Sequence, residues 1–165
     1  MKRKQKIKRI LVLDADMVSA LTIARSLAAR HFVVDVASAK AAPIAAYSNS
    51  VAAHFQYPDP LLNEEDFLAW LQEHIHHAPY ALVIPVTERS LVPLAHARDR
   101  FQETCLAIAD DDSLQLVLDK AATFSLAERI GVSTPQSLYI SSIDELPALL
   151  PQLRFPVVVK PSHSV

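Results

Sequence analysis

An α/β fold, a Rossmann-like parallel sheet flanked by helices, is predicted by the opening of the chain. Ile7 to Leu13 is, apart from Lys8 and Arg9, an aliphatic and β-branched run that ends in Asp14-Ala15-Asp16, the pattern of a central strand buried on both faces. From Ser19 to Arg30 the apolar residues Leu21, Ile23, Ala24, Leu27 and Ala28 recur at helical spacing, with Arg25 and Arg30 toward the polar side. His31 closes that helix, and Phe32 to Val36 reads as the next strand. Strand, helix and strand within about 30 residues make a βαβ unit with a right-handed crossover.

The later elements extend the same architecture. A weakly patterned stretch through Ser48 and Tyr57-Pro58-Asp59-Pro60 precedes a helix signalled at Asn63. Asn63 can cap it, Glu64, Glu65 and Asp66 suit its N-terminal dipole, and Phe67, Leu68, Leu71 and Ile75 form its buried stripe. Tyr80 to Pro85 reads as a buried strand and is followed by Val86-Thr87-Glu88 and a helix running to about Arg100. A short strand is expected over Thr104 to Ala109. Asp110 to Ser113 cap a helix through Leu118, and a second helix, Lys120 to Ile130, ends at Gly131, where a left-handed C-cap favours glycine. From Thr134-Pro135 the texture changes. Gln136 to Ile140 and Phe155 to Lys160 read as strands, separated by a helix capped by Ser142 with Asp144 and Glu145 in its first turn. The domain boundary implied by this topology separates residues 1–112 from 113–165, and a chain that stops five residues after a buried strand is expected to be a truncated piece of a second domain.

Composition narrows the function classes. The chain has 165 residues, 51% of them hydrophobic, and no apolar run of membrane-spanning length. Its basic N-terminus lacks the apolar stretch of a secretory signal, so a cytoplasmic location is expected. The formal charge is -2, although Lys2, Arg3, Lys4, Lys6, Lys8 and Arg9 crowd the start. That run is read as a solvated leader into the first strand, and neither nucleic acid nor a membrane is a predicted partner. The single cysteine, Cys105, is read as core. One glycine stands against eleven prolines, which excludes a glycine-rich phosphate loop within these residues.

Three short motifs carry a family likeness. Leu118-Asp119-Lys120, then Ile130-Gly131-Val132-Ser133-Thr134-Pro135, then Phe155-Pro156-Val157-Val158-Val159-Lys160-Pro161 resemble, in order and spacing, the opening of the ATP-grasp domain. The likeness is strongest to the carbamoyl-phosphate-synthase and biotin-carboxylase-like branch. The preceding part, with Ile84-Pro85-Val86-Thr87-Glu88, resembles that family's pre-ATP-grasp domain, so the likeness covers nearly the whole chain. It implies an ATP-dependent ligase that uses ATP and Mg2+ to activate a carboxylate as an acyl phosphate, which an amine or thiol then displaces. By the same resemblance Lys160 reaches the nucleotide phosphates and Lys120 approaches them from the other side. The bland readings are a surface lysine at a strand end and another at a helix start, where a cation opposes the dipole. The glycine-rich flap and the metal ligands of the family are expected downstream of Val165, so these residues alone are expected to hydrolyse no ATP.

The ends of the parallel strands define a second candidate region. Ligands of open α/β sheets bind outside the carboxyl ends of the strands, which places Asp14 to Ser19, Ser38 and Thr87 to Ser90 on one rim. Thr87 and Glu88 are the candidate substrate contacts there. The alternative is that Thr87 caps the next helix and Glu88 serves only its dipole. Asp14 and Asp16 read as strand-end turn residues. His74, His76 and His77 suit a helix C-terminus better than a metal site, and His163 falls where the family places its phosphate flap.

A phosphoacceptor receiver domain is the rival from another class. Asp14-Ala15-Asp16, Thr87 and Lys160-Pro161 resemble its acidic, hydroxyl and lysine positions. Asp14 and Lys160 are too far apart for a receiver, and no intervening strand ends in the aspartate that must take the phosphate. A dinucleotide-dependent oxidoreductase fits the βαβ start but needs glycine after the first strand.

Overall fold

The computed structural model describes residues 8–162. The chain divides into two compact units, one extending to Ile108 and the other beginning at Ala109.

The first unit alternates strands and helices: β1 (Arg9–Val12), α1 (Val18–Ala28), β2 (Val33–Ser38), a 3-10 turn (Ile44–Tyr47), β3 (Ala53–Gln56), α2 (Glu64–His77), β4 (Leu82–Ile84), α3 (Glu88–His96) and a second 3-10 turn (Arg98–Phe101). All three strand pairings are parallel, in the order β3-β2-β1-β4. Alternation within β1 shows why the sheet is covered on both sides. Leu11 and Leu13 enter one core with Phe67, Leu71, Val83 and Leu94, while Ile10 and Val12 enter another with Ala20, Ala24, Val34 and Val36. Ala20 and Ala24 lie four residues apart on α1, and their small side chains present a flat face to the second core.

This order also separates two of the candidate classes. A receiver-type sheet runs 2-1-3-4-5, whereas the order here, 3-2-1-4, is that of the first four strands of the Rossmann sheet. Thr104 to Ala109, expected as a strand, contributes only a parallel bridge between Leu106 and Val83, with Val83 N–H on the Cys105 carbonyl and Ala107 N–H on that of Val83, both at 2.9 Å. Cys105 is exposed rather than core.

Local chemistry sets the helix limits. Asn63 caps α2 by accepting from the Asp66 N–H at 3.2 Å, and its amide donates to the Asp66 carboxylate at 2.7 Å. Arg100 grips Glu65 at 2.7 and 2.9 Å and also reaches Gln72, which ties α2 to the second 3-10 turn. Helix α3 stops at His96, short of the expected Arg100. Pro93 lies inside it and offers no N–H to the carbonyl one turn back. α1 ends with His31 at φ 65°, where Phe32 N–H meets Leu27 O and His31 N–H meets Ala28 O, a Schellman closure made without glycine. Histidine is one of the few side chains found repeatedly in that left-handed region.

The second unit holds α4 (Asp111–Leu118) and α5 (Lys120–Arg129), capped by Asp110 and Asp119, then a 3-10 turn (Ile143–Glu145) and the short α6 (Leu146–Leu149). α5 closes as the sequence predicts, with Gly131 at φ 80° and the same pair of Schellman bonds, Gly131 N–H to Glu128 O and Val132 N–H to Ala127 O. Ser142 and Glu145 form a complete capping box. The two strands expected at Gln136 to Ile140 and Phe155 to Lys160 are not formed. A strand exists only through its ladder, and neither segment has a paired neighbour among the described residues. Val158 and Val159 are consequently 80% and 91% exposed, and Leu114 is the one buried residue among those described in this unit.

Candidate functional site

The chain passes from β1 to β2 and β3 on one side, then returns to place β4 on the other. Such a reversal opens a crevice between the carboxyl ends of β1 and β4, the place where open α/β sheets bind ligands. Asp14 sits at its floor, fully buried and held at φ 54°. One carboxylate oxygen accepts the Tyr57 hydroxyl at 2.9 Å. The other accepts Val86 N–H at 3.1 Å, Thr87 N–H at 2.8 Å and the Ser90 hydroxyl at 2.6 Å. Tyr57 follows β3 and Val86-Thr87 follow β4, so one side chain joins the ends of three strands. Burial, then the Asp14 charge, pushes the Tyr57 phenol well above its ordinary range, and it remains a hydroxyl donor.

Asp16 completes the set. It accepts the hydroxyl of Ser38, at the end of β2, at 2.7 Å, with Lys40 at 3.4 Å and Arg89 at 3.6 Å. Burial works to raise its pKa, but the Ser38 hydroxyl, a backbone N–H and Arg89 together hold it below the ordinary carboxylate value. The sequence reading treated Asp14 and Asp16 as turn residues and missed that they fasten all four strand ends. The partners lie 43 to 76 residues from Asp14, and the hydroxyl partner of Asp16 lies 22 away, where no local pattern signals them.

Thr87 and Glu88 come together on this rim. Thr87 occupies the N-cap position of α3, but its hydroxyl makes no capping bond and is buried without a partner. Glu88 opens the helix and is half-buried. Lys120 and Lys160 belong to the second unit. The Lys120 N–H and ammonium both reach the carbonyl of Ser162 at 3.2 Å, which folds the segment just after Lys160 back onto the start of α5. Lys160 itself is exposed. His163 lies outside the described residues.

No protein-family model matches the chain, and no curated protein does. Solved structures do. An L-amino acid ligase from Bacillus licheniformis superimposes with a TM-score of 0.69 over 98% of this chain at 18% identity. The biotin carboxylase domain of a single-chain bacterial carboxylase gives 0.57 over 88% at 22% identity. N5-carboxyaminoimidazole ribonucleotide synthetase from Thermotoga maritima gives 0.53 over 91% at 12% identity. These ligase and carboxylase structures share the fold of this chain. The likeness spans only 38%, 34% and 37% of those three chains.

Within the first unit a second buried carboxylate lies away from the rim. Asp35, on β2, accepts the Tyr80 hydroxyl at 2.8 Å and pairs with Arg9 at 3.2 Å, leaving its other oxygen without a partner. Because the Tyr80 proton goes to Asp35, the His74 nitrogen 3.0 Å away must be the donor to Tyr80. The His74 ring stacks on Trp70 at 4.8 Å and meets the edge of Phe55 at 4.4 Å. Burial holds its imidazole below the ordinary value of 6.5, against the opposing pull of Asp35. The unfolded chain therefore takes a proton at His74 at a higher pH than the folded one. Stability from this site is present above about pH 6.5 and is lost as pH falls toward the folded value. The urea midpoint should drop between about pH 7.5 and about pH 5.5, and the drop should shrink in His74→Phe. Among the described residues no group of three His, Cys, Asp or Glu side chains is placed to hold a metal, and no helix is long and apolar enough to cross a membrane.

Proposed function

We propose that this chain is the N-terminal portion of an ATP-dependent ligase of the ATP-grasp type. In this reading residues 1–112 form the pre-ATP-grasp domain and residues 113–165 the opening of the ATP-grasp domain. A carboxylate is activated by the γ-phosphate as an acyl phosphate, which an amine or thiol displaces. The observation that carries the reading is the β3-β2-β1-β4 sheet with its open switch point, in a fold shared with ligases and carboxylases over most of this chain.

Lys120 and Lys160 are assigned to the nucleotide phosphates. A compact ammonium suits them because phosphoryl transfer asks mainly for positioning and charge neutralisation. The contact from Lys120 to Ser162 supports this, since it keeps the start of α5 and the Lys160 segment in one neighbourhood of the second unit. Mg2+ would arrive with the nucleotide and neutralise charge on the transferring group. Thr87 and Glu88 are assigned to the second substrate, which the unpartnered Thr87 hydroxyl supports.

The test is an acyl-phosphate trap. The enzyme that carries this chain is incubated with Mg-ATP, a panel of amino acids and hydroxylamine. Hydroxamate formation is expected, falling by roughly a hundredfold or more in Lys160→Met. Stable aspartyl phosphorylation by acetyl phosphate and Mg2+, with no hydroxamate under any condition, would overturn the reading in favour of a receiver.

A further inference from the structure

The ring of His74 is enclosed on three sides. It lies parallel to Trp70 at a centroid distance of 4.8 Å and meets Phe55, from β3, edge-on at 4.4 Å. Its Nε2 meets the Tyr80 hydroxyl at 3.0 Å. A positive charge in this slot would be poorly served. Asp35 on β2 stands behind the Tyr80 hydroxyl and already pairs with Arg9 from β1, a cation that would repel it. β3 offers the Phe55 ring, with His54 on the opposite face of the strand. Burial accordingly holds the imidazole below its ordinary value, and Arg9 and His77 act in the same direction against Asp35. The fourth side is open. A cleft of about 240 Å3 lies there, lined by Trp70, Glu73, His74 and His77, in which water and the exposed Glu73 carboxylate favour a cation and His77 opposes one.

We infer that His74 is an acid-released wedge: neutral, it fills the slot between Trp70 and Phe55 and ties α2 to Tyr80; protonated, it swings into the cleft beside Glu73 and frees one face of Trp70. The departure leaves the rest of the core in place, because Tyr80 keeps its bond to Asp35 and Asp35 keeps Arg9. Its effect is carried further by a row of rings. Trp70 lies against Tyr57 at 5.5 Å. The Tyr57 hydroxyl in turn donates to the Asp14 carboxylate at 2.9 Å and accepts the Asp14 N–H at 3.2 Å. Close packing transmits displacement, so a Trp70 ring with an emptied face shifts and Tyr57 shifts with it. The charge on a residue in the last turn of α2 thereby reaches the crevice between β1 and β4. Nothing in this depends on what the crevice binds.

The chain has one tryptophan, so its emission reports on this slot. The full chain is taken from about pH 7.5 to about pH 5 without denaturant. Trp70 emission, far-UV circular dichroism, the nuclear Overhauser cross-peaks from His74 to Trp70 and Phe55, and the Asp14 amide shift are followed together. The emission is expected to move to the red, the cross-peaks to vanish and the Asp14 amide to move at one midpoint below about pH 6.5, with the dichroism unchanged. In His74→Phe, which keeps the slot filled with an uncharged ring, these changes should disappear. Glu73 is exposed, so Glu73→Gln stays folded and keeps the test decisive if His74→Phe does not. It should lower the midpoint by roughly a few tenths of a pH unit, because the released imidazolium loses its anion. Titration of His74 with its cross-peaks kept, an emission change that persists in His74→Phe, an unmoved Asp14 amide, an unchanged midpoint in Glu73→Gln, or dichroism lost together with the emission would each overturn the inference.

Discussion

Asp14→Ala is expected to destabilise the chain by about 3–5 kcal/mol, a large share of the roughly 5–15 kcal/mol available to a domain. The substitution removes a fully buried carboxylate and leaves two backbone N–H groups and two hydroxyls without an acceptor. Asn is a poor substitute. Its amide oxygen can still accept from Tyr57, but its NH2 then faces the N–H groups of Val86 and Thr87, donor against donor. Gly separates the two costs. It loses the same hydrogen bonds but removes the strain of a side chain at φ 54°, so Asp14→Gly should be less damaging than Asp14→Ala by about 1 kcal/mol. Urea unfolding of the three variants checks the order. Equal losses in Ala and Gly would show that the backbone conformation at this position is unstrained.

Phe67→Ala should cost a similar amount, about 3–5 kcal/mol, for a different reason. Phe67 is fully buried on α2, and its ring meets that of Tyr57 edge-on at a centroid distance of 5.0 Å. Truncation leaves a cavity and also frees the ring whose hydroxyl serves Asp14. The two substitutions therefore share a partner, and the loss in Phe67→Ala/Asp14→Ala should be smaller than the sum of the single losses. Strict additivity, read from the same urea curves, would mean that Tyr57 is held without Phe67.

The first unit was legible wherever burial imposed a local pattern. β1, β2 and β4 are mainly aliphatic because both faces of the sheet are covered, and α2 announces itself by its Asn63 cap and acidic first turn. β3 gave no such signal. It is an edge strand of four residues whose side chains alternate between half-buried and exposed, so Ala53-His54-Phe55-Gln56 carries no apolar run. The opposite error occurred at Phe155 to Lys160, where three consecutive valines favour a strand but pairing decides whether one forms. The general rule about strand ends placed Asp14 to Ser19, Ser38 and Thr87 to Ser90 on one rim. The contacts of Asp14 and Asp16 were not legible, because they join distant parts of the chain.

Those distances also bear on the order of events during folding. Tyr57, Val86, Thr87 and Ser90 can meet Asp14 only after β3 and β4 have both docked beside their neighbours, so closure of this cluster is a late step with a high loop-closing cost. Bonds formed after the rate-limiting barrier slow the escape from the native state without hastening arrival there. Asp14 thus acts as a latch on a sheet assembled by its aliphatic strands, and the lifetime of the folded chain depends on it more than the speed of folding does.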